Sequence, residues 1–150
     1  MANNVKTIIT VRTSVNAPVE TVWKHWTSPD SIIHWNNASE DWHTAKASND
    51  LRKDGKFSYR MEARDKSIGF DFEGVYYNIL VNKQIDYTLA DGRKVKITFS
   101  NNGKTTDVIE TFEAEEINSI DLQRNGWQAI LDNFKKFTES NRLPFLDPLI

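Results

Sequence analysis

The sequence predicts an α+β domain in which a curved antiparallel sheet of about six to seven strands is covered by one long C-terminal helix. Three observations carry this prediction. Strand-like and helical segments are segregated along the chain, as in α+β folds. The dipeptides DG at 91–92 and NG at 102–103 are strong hairpin signals. The last periodic segment spans about 20 residues, or about 30 Å, and no other predicted element is long enough to cover a sheet.

The chain begins with a predicted strand and two short helices. Residues 5–15 are rich in β-branched side chains, which favours a strand. Asn16 is a candidate helix N-cap, and Pro18 is tolerated in a first turn. Apolar residues then recur at helical spacing, at Val19, Val22, Trp23 and Trp26. Pro29 predicts the end of this helix and the start of the second.

The segment WNNASEDWHTAKASND, residues 35–50, is polar, and propensity alone predicts an exposed coil. It nevertheless carries Trp35, Trp42 and His43. Clustered large aromatic side chains usually cover an interaction surface or line a binding groove, whereas isolated ones need no explanation. We therefore treat these three side chains as candidate site residues.

The middle of the chain predicts a series of antiparallel strands with alternating faces. Gly74 indicates a bulge within the run GFDFEGVYYNIL. The side chains predicted to share a face within their own strands are Phe57, Tyr59 and Met61, then Phe70 and Phe72, then Val95, Ile97 and Phe99, and finally Val108, Glu110 and Phe112.

The predicted C-terminal helix, NSIDLQRNGWQAILDNFKKFTES, has a clear apolar face and a cap at Asn118 or Ser119. Its apolar face comprises Ile120, Trp127, Ile130, Leu131, Phe134 and Phe137. Gly126 costs about 1 kcal/mol inside a helix. A glycine there indicates either close packing against another backbone or room for a ligand.

Composition bounds the class of protein. The 150 residues predict a single domain, with a core at about 5–140 and a C-terminal extension at 141–150. The net charge of −2 and the scattered basic residues indicate no nucleic-acid partner. No apolar run approaches the roughly 20 residues of a membrane helix, so no membrane insertion is expected. The absence of cysteine fits a cytoplasmic location.

Motif searches predict no metal, no cofactor and no assigned catalytic residue. The three histidines lack the spacing of a helical metal site, and no nucleophile is placed beside a base. His43 is the one histidine that could orient a polar ligand group.

Glu110 has two interpretations, since it shares its strand face with Val108 and Phe112. It could enter a cavity as a lone carboxylate with a raised pKa. Alternatively, the strand is twisted or bulged, or the carboxylate pairs with an arginine at the rim. The second interpretation is favoured because lone buried carboxylates are rare.

The chain also resembles a known family over roughly residues 5 to 140. The matching segments are 18–23 (PVETVW), 26–29 (WTSP), 35–36, 41–44 (DWHT), 49–51, 55–57, 72–76 (FEGVY), 91–93, 111–112 and 123–127 (QRNGW). They resemble small bacterial proteins grouped with the C-terminal domain of the heat-shock chaperone ATPase activator. These proteins belong to the START-like (helix-grip, SRPBCC) superfamily.

The resemblance implies a single START-like domain with a cavity between the sheet and the long helix. Within that fold, residues 35–50 lead into the second strand near the cavity mouth. The aromatic set is equally compatible with plain core. The candidate ligand-binding residues are Trp35, Trp42, His43, Tyr59, Met61, Phe70, Phe72, Tyr87, Phe99, Glu110, Trp127, Leu131 and Phe134.

The expected function is binding of a small apolar or aromatic molecule in that cavity, and a binding module is favoured over an enzyme. One alternative is a cyclase- or hydrolase-like enzyme acting on a bound aromatic substrate. Another is a chaperone-associated regulator, although the full-length activator also uses a separate N-terminal domain. Two chains could pair as a homodimer through edge strands or through the tail, LPFL at 143–146, unless that tail docks on its own chain.

Overall fold

The computed structural model describes residues 6–141 and contains seven strands and three helices. In chain order they are β1 (Ile8–Val15), α1 (Val19–Thr27), α2 (Pro29–Trp35), β2 (Trp42–Asn49), β3 (Lys56–Ala63), β4 (Gly69–Leu80), β5 (Gln84–Leu89), β6 (Lys94–Asn101), β7 (Thr106–Glu113) and α3 (Ile120–Ser140). The predicted α+β helix-grip architecture is confirmed. The tail at 143–146 lies outside the described residues.

All seven strands form one antiparallel sheet in the order β1-β7-β6-β5-β4-β3-β2. Strands β2 to β7 follow one another as a meander, and β1 pairs with β7, the last strand. The sheet curls into a half-barrel, with α1 and α2 connecting its two edges. Its concave face holds the core together with the helices, and Ile9, Ile97, Phe112 and Phe134 are almost fully buried there. Within residues 6–141, no helix is long and apolar enough to span a membrane.

Helix α3 packs along β1 and satisfies part of that strand's free edge. The side-chain amide of Gln128 donates to the carbonyl oxygen of Arg12 at 3.0 Å and accepts from its N–H at 3.3 Å. Lys135 Nζ donates to the carbonyl oxygen of Ser14 at 2.7 Å. Unpaired backbone groups on an edge strand invite pairing with other chains. These bonds therefore cover the edge as well as fixing the position of the helix.

Two tight turns confirm the hairpin signals of the sequence. Gly92 and Gly103 have φ values of 92° and 88°, in the left-handed region that glycine adopts without steric cost. The turns connect β5 to β6 and β6 to β7, and so set the register of the strand that carries Glu110.

The polar segment that propensity predicted as coil is in part the edge strand β2. It pairs antiparallel with β3, with Trp42 opposite Ala63 and Asn49 opposite Phe57. Strand formation depends on packing and pairing more than on intrinsic preference. Here Thr44 is buried, and its hydroxyl donates to the carbonyl oxygen of Asn36 at 2.6 Å.

Two local predictions need correction. The N-cap of α1 is Pro18 rather than Asn16, and the Pro18 carbonyl accepts the first helical hydrogen bonds. Gly74 does not form a bulge, because the register shift in β4 falls between Tyr76 and Asn78. Gly74 is instead a point of close approach, where an added Cβ would lie 2.9 Å from the Phe57 ring.

Candidate functional site

A cavity of about 310 Å³ lies between the concave face of the sheet and α3. Its lining residues are Trp26, Trp35, Asn36, Ala38, Trp42, Tyr59, Met61, Phe70, Phe72, Tyr76, Ile85, Tyr87, Glu110, Gly126, Trp127 and Ile130. Nine of these sixteen side chains are aromatic, which makes the wall apolar and rigid.

Trp127 of α3 packs directly against two aromatic rings of the sheet. Its ring stacks on Phe112 of β7, with centroids 3.8 Å apart and planes 12° apart. Phe72 of β4 meets the same indole edge-on at 6.1 Å. Because Phe112 is almost fully buried, stacking on it fixes the Trp127 side chain against the core.

The helical wall on the opposite side is formed by Trp26 and Trp35, whose centroids lie 5.0 Å apart. Phe134 of α3 lies behind both rings, at 4.8 Å from Trp26 and 4.9 Å from Trp35. Trp35 Nε1 donates to the carbonyl oxygen of His25 at 3.0 Å. The bond satisfies the buried indole and ties α2 to the end of α1.

Phe70 and Trp42 mark the rim of the cavity. Phe70 is 46% exposed although it lines the cavity, so it lies where the cavity opens to solvent. Trp42 packs edge-on against it at 5.9 Å. Ala38, an exposed lining residue in the connection between α2 and β2, also lies where the cavity meets solvent.

The Glu110 side chain extends from β7 into the cavity, and the residue as a whole is only 6% exposed. Its carboxyl group has no hydrogen bond or ion pair with any of the residues 6–141. Burial raises its pKa to about 8, because the charged form has lost its solvation. The favoured interpretation, a bulged strand or an arginine partner at the rim, is therefore wrong.

Asp86, the second buried carboxylate among residues 6–141, shows the usual arrangement. Asp86 is 3% exposed and accepts hydrogen bonds from Asn78 Nδ2 at 2.8 Å and Gln84 Nε2 at 2.6 Å. Buried polar groups normally have such partners. Glu110 lacks hydrogen-bond partners within the described part of the chain. Its carboxyl group is therefore available to a molecule that enters the cavity.

Three tyrosines add hydroxyl groups to the cavity wall. Burial raises the pKa of Tyr59, Tyr76 and Tyr87, so all three are neutral at physiological pH. Tyr76 donates to Asn49 Oδ1 at 2.6 Å, which fixes its position near the end of β2.

Gly126 leaves open space rather than close packing. A Cβ added at this position would meet no atom within 4 Å, and the residue lines the cavity. Of the two explanations offered by the sequence, room beside the helix is the one the structure supports.

The structure brings nine of the thirteen sequence-predicted site residues to the cavity. The lining members are Trp35, Trp42, Tyr59, Met61, Phe70, Phe72, Tyr87, Glu110 and Trp127. The other four, which are not among the lining residues, are His43, Phe99, Leu131 and Phe134.

His43 lies on the opposite face of β2 from Trp42, because successive strand residues alternate. Its Nδ1 atom is buried and has no hydrogen bond from any residue in the 6–141 range. Phe99 packs beneath α1, at 5.3 Å from Trp23. Leu131 and Phe134 are core side chains behind the wall.

Sequence reasoning missed several lining residues, namely Trp26, Asn36, Ala38, Tyr76, Ile85 and Ile130. Trp26 had a usable signal, since it lies on the apolar face of α1 and would be expected in the core or at its boundary. Asn36 and Ala38 had none, because they lie in a connection without periodicity.

A second, polar hollow of about 580 Å³ shares Ala38 with the cavity and lies beside the end of α3. Its lining mixes Glu40 with Arg64 and Lys136. It is larger, but its wall is polar and of mixed charge, so the aromatic cavity is the better candidate for a small-molecule site.

The curled sheet around a long helix, with an apolar cavity between them, defines a helix-grip protein. The chain belongs to the family described as activator of Hsp90 ATPase homolog 1-like protein, whose model matches residues 16–139. No curated protein matches the chain.

Solved structures agree with this assignment. An AHSA1-like protein from Aeromonas hydrophila is 37% identical, with a TM-score of 0.85, covering 96% of this chain and 98% of its own. A protein from Cytophaga hutchinsonii is 49% identical, with a TM-score of 0.77, covering 89% and 92%. The Aha1 dimer from Colwellia psychrerythraea is 16% identical, with a TM-score of 0.70, covering 89% and 96%, and shows the shared fold alone.

Proposed function

We propose that this protein binds a small apolar or aromatic molecule in the cavity between the sheet and α3. The observation that carries the proposal is an open cavity of about 310 Å³ whose wall is mostly aromatic. That volume is at the low end for small-molecule pockets. The rigid rings supply apolar contact area, while Glu110 and the tyrosine hydroxyls supply a few orienting polar groups.

The position of Gly126 supports the proposal further. Helices avoid glycine at a cost of about 1 kcal/mol, yet α3 carries it where the cavity borders the helix. Any larger side chain at this position would extend into the cavity. Gly126 therefore keeps volume available for a ligand at the expense of helix stability.

Thermal unfolding in the presence of lipids, flavonoids and aromatic polyketides tests the proposal. A ligand at 100 times its dissociation constant stabilises the folded state by about 2.7 kcal/mol. At about 2–4 °C per kcal/mol, the midpoint should rise by about 5 to 10 °C. We expect this rise with one chemical class, and no rise across the panel would contradict the proposal.

A pair of leucine variants makes the test specific to the cavity. Gly126→Leu places a side chain into the open space and should abolish the ligand-induced rise. Asn125→Leu adds the same side chain at the neighbouring, exposed position and should retain it. Equal loss in both variants would mean that the ligand binds elsewhere.

One observation favours a second candidate, an enzyme acting on the bound molecule. Glu110 faces the cavity, and with its pKa raised to about 8 it could exchange a proton near neutral pH. If so, Glu110→Gln should abolish conversion of a bound aromatic compound, measured by liquid chromatography, while the folded protein still binds it. Undiminished conversion by the variant would exclude this role.

Chaperone contact and homodimer formation stay predictions. The Colwellia psychrerythraea relative is described as a dimer. In this chain β2 lies at an edge of the sheet, where a second chain could pair with it. Sedimentation velocity at several concentrations would reveal a dimer. Lack of binding to a purified heat-shock chaperone at micromolar concentration would argue against a chaperone role.

A further inference from the structure

We propose that the ligand of this cavity is an organic cation, an aromatic or aliphatic amine that binds as its ammonium ion with the charged group against Glu110. This inference rests on the proposed function and specifies the class of ligand. It follows from the charges, hydrogen-bond acceptors and rings that face the cavity.

The charges of the wall favour a cation. Glu110 is the only acidic residue among the sixteen lining residues, and none of them is lysine, arginine or histidine. A carboxylate in an apolar environment interacts strongly with an opposite charge, because solvent screens little there. An anionic ligand would meet no positively charged side chain on this wall to compensate for its lost solvation.

An acceptor on the wall that has no partner among the described residues also fits a donating ligand group. Asn36 Nδ2 donates to Thr44 Oγ1 at 3.2 Å, while that hydroxyl donates to the Asn36 carbonyl oxygen. This pattern assigns the amide orientation and leaves Asn36 Oδ1 without a partner among the described residues. Together with the Glu110 carboxylate, it offers acceptors to a group that donates. An ammonium ion carries three donors and no acceptor.

The rings supply the remaining attraction. Four of the nine aromatic lining residues are tryptophans, which attract cations most strongly through the negative face of the ring. Trp127 comes from the α3 wall, and its stacking partner Phe112 lies two residues from Glu110 on the same face of β7. An ammonium group beside Glu110 therefore lies near indole as well as carboxylate.

The binding step should release a proton. Burial alone raises the pKa of Glu110 to about 8, so at pH 7 it is mostly protonated. An ammonium ion stabilises the carboxylate, and the proton of Glu110 leaves to the solvent. The amine arrives already protonated and keeps its own proton. Release at pH 7 should therefore amount to roughly half to one proton per ligand bound.

Isothermal titration calorimetry with three matched probes tests the inference. The probes share one ring system and differ in charge: 1-naphthylmethylamine, 1-naphthylmethanol and 1-naphthoate. We expect the amine to bind at least about tenfold more tightly than the alcohol, and the carboxylate to bind most weakly. Titrations in phosphate and Tris, which differ in ionisation enthalpy, should report proton release with the amine and none with the alcohol.

Glu110→Gln is the matched variant, because it keeps the side-chain shape and removes the charge. It should reduce the affinity for the amine to about the affinity that the same variant shows for the alcohol, because the charge that distinguishes the two probes is gone. Far-ultraviolet circular dichroism would verify that the variant is folded. If it does not fold, proton release by the wild-type protein still decides the question.

The outcomes separate the two proposals. If the alcohol or the carboxylate binds as tightly as the amine, the organic-cation inference is overturned and the cavity remains a binding site. Tight amine binding without proton release would likewise overturn the role of Glu110. If none of the probes binds, and the broader ligand panel also fails, both proposals are wrong.

Discussion

Replacing Glu110 by glutamine should make the protein more stable, by an amount that grows with pH. The carboxyl group of Glu110 has a pKa of about 8 in the folded protein, against an ordinary value of 4.5. Between these two values the folded state holds a proton that the unfolded state has lost. Unfolding then releases a proton, so the free energy of unfolding falls as pH rises.

The magnitude follows from the size of the shift. Each pKa unit corresponds to about 1.4 kcal/mol, so the full shift costs the folded state roughly 5 kcal/mol above pH 8. This cost is absent below the unfolded-state pKa, and Glu110→Gln removes it at every pH. The difference in free energy of unfolding between the variant and the wild type should therefore grow by roughly 3 to 4 kcal/mol from pH 5 to pH 8.

Urea denaturation followed by tryptophan fluorescence at pH 5, 6, 7 and 8 would measure this difference. Glu116→Gln is a suitable control, since it removes the same charge from an exposed position in the loop before α3. We expect a difference that rises with pH for Glu110→Gln and stays constant for the control. A constant difference for both variants would refute the assignment of Glu110 as an unpaired buried carboxyl group.

Three further substitutions test other parts of the structure by the same denaturation assay. Gly126→Ala should raise the free energy of unfolding by up to about 1 kcal/mol, because the methyl group meets open space; a decrease would mean that this space is filled. Ser119→Ala removes the hydroxyl that accepts the Leu122 N–H at 3.1 Å and should cost about 1 kcal/mol, unless the cap is dispensable. Gly74→Ala should cost about 1–3 kcal/mol, because its Cβ would lie 2.7 Å from a backbone oxygen; unchanged stability would contradict the close approach.

The order and type of most elements were predictable from the sequence, whereas β2 was not. Hydrophobic periodicity identified α3, and glycine turns identified the hairpins around β6. The residues of β2 are polar because it is an edge strand, in which only Thr44 is fully buried and the other residues are half-buried or exposed. Its strand character comes from pairing with β3, and single-residue propensity does not contain that information.

The same distinction explains the results at the candidate site. Alternation along β7 correctly grouped Glu110 with Val108 and Phe112 on one face, but it left open whether that face points into the cavity. Whether a cation reaches that face depends on strands that are distant in sequence, so the absence of a partner among residues 6–141 could not be predicted. His43 was selected for its neighbour Trp42, but once residues 42–49 form a strand, alternation turns it to the other face.

The strand order has a consequence for how the chain folds. The meander from β2 to β7 consists of neighbouring hairpins, whose contacts are local and form rapidly. In contrast, β1 pairs with β7 across roughly a hundred positions. Closing so long a loop has a large entropic cost, so we expect this pairing to form late. During synthesis β1 emerges from the ribosome before the other six strands. It cannot pair with β7 until nearly the whole domain has emerged. The hundred-residue delay makes β1 docking the expected rate-limiting event, and the aromatic cavity can be completed only after it.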